Sequence, residues 1–203
     1  MKEICDRISG YKDQTCRYLI SLSEKHIDED ISKAVMAAQN ICTSFGRIGE
    51  LIRTSGEVRF GLALENKGFS EAGSRDLDVF VEAVGEIVEA TVMDFEYGSF
   101  RLTKSISVFR EMVSQLHSMV NNRHIRRLHD GICDRQMGKL FMDMCYDLEK
   151  IIDECDTIAA NLLPFILSGS SARVVTEDEH KEPGTDKIKE LYKDKYMALL
   201  DNK

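Results

Sequence analysis

DLEKIIDECDTIAANLL, residues 147–163, decides how the rest of this chain is read. Leu148, Ile151, Ile152, Cys155, Ile158, Ala159 and Leu162 recur at spacings of three and four, the signature of an amphipathic helix with one buried stripe. Asp147, Glu149, Asp153, Glu154 and Asp156 stand among the remaining positions. They are either a solvated face or a set of ligands. Upstream the same stripe continues through Met137, Phe141 and Met144, and Pro164 or the glycine after it limits the helix.

The remainder repeats this pattern. A first helix is predicted from Met1 to Ser23, broken by the stretch HIDED, whose acids suit the next helix start. A second runs from about Glu29 to Ser55, with Gly56 as its stop, and a short helix comes next over 57–66. The stretch NKGFSEAGS is a loop ending at a cap. From Arg75 the stripe Leu77, Phe80, Val84, Ile87 and Val88 marks a helix broken by EYGS. The next covers Phe100–Leu128. HDGICD is a turn in which Gly131 supplies backbone freedom, and Asp134 caps the last long helix. No strand pattern occurs. The fold class is all-α, an antiparallel bundle with short connections.

Composition bounds the function. The 203 residues carry a net charge of −8, which argues against a nucleic-acid surface, since that needs a basic stripe. The six cysteines form no C-x-x-C pair and sit at helical positions, as small buried hydrophobes of a reducing compartment do. The longest apolar run, AANLLPFIL, is too short to span a bilayer. Neither G-x-S-x-G, a Walker loop nor H-E-x-x-H is present, so the expectation is a protein without catalysis. A di-metal carboxylate enzyme would need a Glu-x-x-His pair from each of two facing helices, and the predicted helices carry none.

SFGRIGELI (Ser44–Ile52) and DLEKIIDEC (Asp147–Cys155) align at an offset of 103 residues: Phe45 with Leu148, Arg47 with Lys150, Ile48 with Ile151, Glu50 with Asp153, and upstream Cys42 with Cys145. The alignment points to an internal duplication of helical units. Here the chain resembles the PhoU family, whose hallmark is a D-L-E-R-I-G-D-H-type segment once per half. It is most similar to the cytoplasmic PhoU-like domain that is joined to the membrane part of bacterial sodium/phosphate cotransporters. HIRRLHDGICDRQMGKLFMDMCYDLEKIIDECDTIA (residues 124–159), CRYLISLS and LYKDKYMALL carry that likeness.

The resemblance implies two tandem antiparallel bundles of three-helix repeats within 1–168. The first repeat (1–73) lacks its first helix, which would precede Met1: the chain is expected to be either a domain cut from a larger membrane protein or a divergent short relative. The second (74–168) is whole. Residues 169–185 are expected to be a flexible linker, and 186–203 a C-terminal amphipathic helix. That helix (Asp186–Leu200), or a second copy of the chain as a homo-oligomer, is expected to cover the apolar groove left in the first repeat.

The implied function is a cytoplasmic regulatory domain of, or acting on, a sodium-dependent phosphate transporter, membrane-associated through that partner. The alternative is a free-standing negative regulator of an ATP-driven phosphate importer and its sensor kinase. The resemblance also implies iron or zinc clusters on the family's acid-x-x-x-acid motif. Glu149 and Asp153, one helical turn apart, stand at it in the second half. In the first half Gly46 replaces the first acid and Glu50 holds the second, with Asp6 the candidate on the neighbouring helix. The matching neighbour in the second half offers Arg110 and Ser114 at the acid positions, with Glu111 on a different face. Asp147 and Glu154 are expected only to solvate the surface. His129 with Cys133 lacks two further zinc ligands and reads as loop structure. Arg123, Arg126 and Arg127 read as surface charge balance.

Overall fold

The computed structural model describes residues 2–25, 27–98, 100–167, 190–196 and 198. Every regular element among them is helical: α1 (Lys2–Ser23), α2 (Glu29–Leu64), α3 (Glu71–Tyr97), α4 (Phe100–His129) and α5 (Arg135–Leu167). None is long and apolar enough to cross a membrane. The expected linker 169–185 lies outside the described residues, as do Met1, Ile188, Leu199 and Leu200.

Local chemistry sets the boundaries. Asp28 caps α2 by accepting the Ile31 N–H at 2.8 Å, and Ser70 caps α3 by accepting from Gly73. The Asp134 carboxylate accepts from the N–H groups of Gln136 and Met137. Gly98 and Gly131 take the left-handed backbone that ends a helix or turns a loop, at φ 65° and 69°.

Two expected boundaries move, and a third is resolved. α2 does not stop at Gly56 but runs to Leu64, absorbing the short helix. A mid-helix glycine costs only about 1 kcal/mol against alanine. Arg53 offsets this by gripping Glu50 and Glu57 along the outer face, and Val58 packs on the core. α3 begins at Glu71 rather than Arg75, because Ser70 is the cap. Of the two expected limits of α5 it is not Pro164 that ends the helix, which continues to Leu167, short of Gly169, since a proline this close to a C-terminus, with its ring exposed, forfeits little.

Among the described residues α5 is the axis, packing on α2, α3 and α4, while the backbone of α1 lies against that of α2 alone. Leu77, Phe80, Ile87, Ile106, Val120, Phe141, Cys145 and Ile158 form a core without solvent contact. Across α2 and α5 the bonds Arg47–Glu154, Ser55–Asp147 and Asn40–Asn161 pair ascending with descending positions, so these helices are antiparallel. Their contact is centred near Gly49 and Ile152, which are equivalent positions at the 103-residue offset. At Gly49 a Cβ would come 3.1 Å from Ile8, so the glycine admits α1 to close approach.

Residues 190–196 are helical and rest on α3 and α4. The Tyr192 hydroxyl donates to the Ala83 carbonyl at 2.9 Å, and its ring lies 4.7 Å from that of Phe109. Lys195 pairs with Glu82 and Glu86. The expectation that this segment covers the first-half groove is therefore corrected. Tyr192, Lys195 and Tyr196 find their partners on the second-half helices, and Leu191, expected on the docked side, stays exposed.

Candidate functional site

The acid ridge of α5 faces α4 across a cleft of about 420 Å³ lined by Ser107, Arg110, Glu111, Ser114, Gln115, Glu149, Ile152 and Asp153. The structure brings Glu149 and Asp153 to this cleft, and α4 supplies each with a cationic or donor partner. Glu149 lies 3.0 Å from His117 Nδ1. That ring stacks on Phe80 with planes 5° apart, and its Nε2 stands 2.8 Å from the Asn121 amide. The tautomer with hydrogen on Nδ1 satisfies both contacts. Asp153 is held by Arg110 at 3.2 Å and by Lys150 at 3.1 Å. The Lys150 ammonium is in turn held above its usual pKa by the hydrogen bond to Asp153. Asp156 bonds Ser107 at 2.9 Å and pairs with Arg110.

The first-half candidates lie elsewhere. Glu50 is bound by Arg53 on α2, and that hydrogen bond lowers its pKa below the usual range. Asp6 is exposed on α1, and among the described residues no bond joins it to Glu50. Gly46 sits beneath the Lys12 side chain, where a Cβ would come 2.6 Å from Lys12 Cδ. Among the described residues, no group of three or more His, Cys, Asp or Glu is placed to hold a metal ion. Hard cations and iron need several converging oxygen ligands. On this ridge the carboxylates are shared with arginine, lysine and histidine, so the donor set does not fit such a cluster, and no step is routed through one.

Two expectations about charge are overturned. Glu154 does not merely solvate the surface. Its side chain is 15 % exposed and pairs with Arg47 across the α2–α5 contact at 3.2 Å. Asp147, likewise, bonds Ser55 on α2. Nor do the three arginines of RHIRRLHD form one basic face. Arg123 and Arg127 turn inward onto Asp76, which is 2 % exposed at the start of α3, with Arg123 Nε 3.1 Å from Oδ1. Arg127 also stacks over Phe141, 5.7 Å from its centroid. Beside them His124 is buried flat against Phe141. Burial, then the Arg127 cation, holds its pKa below the ordinary 6.5, against the opposing influence of the Gly138 backbone and Asp76. A lone acid inside an apolar stripe, with arginines four apart on another helix, was the signal for this cluster.

His129 bonds Asp130 and Cys133 bonds Ser70, so the two face different partners. All six cysteines are free thiols. Burial pushes Cys145 and Cys155 up to about 12 and about 11, which leaves little reactive thiolate.

The other large feature is apolar. A groove of about 730 Å³ runs between α1 and α3, floored by α2 and α5 through Ile41, Phe45, Ile48 and Leu162. Among the described residues nothing closes it. Comparison with protein-family models, with curated proteins and with solved structures returns no match to this chain.

Proposed function

We propose that this chain is a PhoU-like regulatory domain on the cytoplasmic side of a membrane, belonging to or acting on a sodium-dependent phosphate transporter and controlling phosphate uptake. The reading rests on the resemblance of residues 124–159 and on the duplicated segments. The observation that carries it is the antiparallel crossing of α2 and α5 near Gly49 and Ile152. Two tandem units, the first short of one helix, account for a crossing on equivalent residues. They also account for an apolar groove beside the shorter unit. The function is binding rather than catalysis: the polar cleft between α4 and α5 holds neutralised carboxylates, and the free energy for switching a partner comes from differential docking to its states.

The test is sodium-dependent uptake of labelled phosphate in cells that make the membrane part of such a cotransporter, with and without this chain. Altered uptake is the expected result, and identical uptake would remove the reading. Elemental analysis decides the metal question separately. A stoichiometric metal that disappears in the Glu149→Ala/Asp153→Ala protein would restore a metal role.

A further inference from the structure

α1 carries an apolar arc wider than its single neighbour covers. Cys5 and Leu19 are buried, whereas Ile4, Tyr11 and Tyr18, seven residues apart on one ridge, are 60 %, 62 % and 66 % exposed. Across the groove α3 presents Val92 and Phe95, also exposed. Among the described residues the backbones of α1 and α3 do not approach each other closely. The segment 190–196 is committed to another face of α3, at Glu82, Ala83 and Glu86.

We propose that a second copy of this chain closes the groove in a two-fold dimer, the α1 of each copy lying along the α3 of the other. Charge and register select this occupant. Outboard of Val92 and Phe95, the next ridge of α3 carries Glu89 and Glu96, both exposed. Outboard of Tyr11 and Tyr18, the next ridge of α1 carries Arg7. The levels also agree. Ile8 sits against Gly49, and Phe45 meets Phe95 edge-on at 5.3 Å. Because α2 runs antiparallel to both α1 and α3, Arg7 stands within about one helical turn of the level of Glu89. A two-fold axis parallel to these helices preserves level. It sets the Tyr11 ridge on Val92 and Phe95 and brings Arg7 against the partner's Glu89, twice per dimer, as an isologous contact requires.

Sedimentation equilibrium of the full chain, from micromolar to submillimolar concentration, tests this independently of any transporter. A dimer is expected. Tyr11→Asp places a charge on the apolar ridge and should leave a monomer with unchanged helical circular dichroism, because Tyr11 is exposed in the single chain. Arg7→Glu and Glu89→Lys should each weaken the dimer about tenfold, since two symmetric ion pairs are lost at once. The R7E/E89K protein should regain the parent's affinity. A monomeric parent, a Tyr11→Asp protein as dimeric as the parent, or a double variant as weak as the single ones would overturn the proposal. The first of these results would leave the groove to a different occupant.

Discussion

Asp76 gathers two arginines at a buried position. Its carboxylate is desolvated and faces two arginines, one of them also buried. Deleting one partner of such an arrangement strands the other's charge in the core. Asp76→Ala is accordingly expected to lower the unfolding free energy by about 3–5 kcal/mol in urea titration. Replacing Asp76 and Arg127 together by leucine and methionine should recover most of that loss. His124 makes a second prediction. Its folded pKa is depressed, so its neutral form is favoured in the fold, and stability is undiminished above the unfolded value of 6.5. Stability is then lost as pH falls from there toward the folded value, because the unfolded chain takes up the proton first. The urea midpoint should therefore decline below pH 6.5. His124→Leu should flatten that decline, measured against the parent over the same range. His124 gave no signal in the sequence, and Asp76 gave only its place inside an apolar stripe, because the identity of its partners depends on how α3 meets the end of α4.

At the level of the helices, sequence was most informative where an end is fixed by its own residues. Asp28, Asp134, Gly98 and Gly131 act within one turn and need no tertiary neighbour. Asp134→Ala should cost roughly 1 kcal/mol in the same titration, since two N–H groups at the α5 start lose their acceptor. Gly56 misled for the opposite reason. Whether a helix tolerates a glycine depends on flanking ion pairs and on tertiary packing, which periodicity does not encode. The acid ridge sits between these cases. Its spacing placed Glu149 and Asp153 on the side that meets α4, but only the register of α4 against α5 delivers His117 and Arg110 to them. Gly49 records a close approach that a side chain would block. Gly49→Val should push α1 from α2 and destabilise the protein by about 1–3 kcal/mol.

Across the whole molecule, attachment is uneven. Among the described residues the backbone of α5 lies against three helices and that of α1 against one. The C-terminal segment ties down the middle of α3, and Tyr192→Ala should speed hydrogen exchange around Ala83 while leaving the amides of α2 unchanged. The bundle class was readable from periodicity alone, whereas the docking site of the last segment was not, because its tyrosines match any apolar face of similar width. The single attachment of α1 also has a kinetic meaning. Its backbone can peel from α2 without disturbing Phe80, Phe141 or the other side chains of the sealed core, so its amides and its peptide bonds become accessible through an opening far cheaper than global unfolding. Ligand-free, dilute protein should be nicked between α1 and α2 sooner than within α3, α4 or α5, and whatever occupies the groove should act as a clasp that sets how often that opening happens.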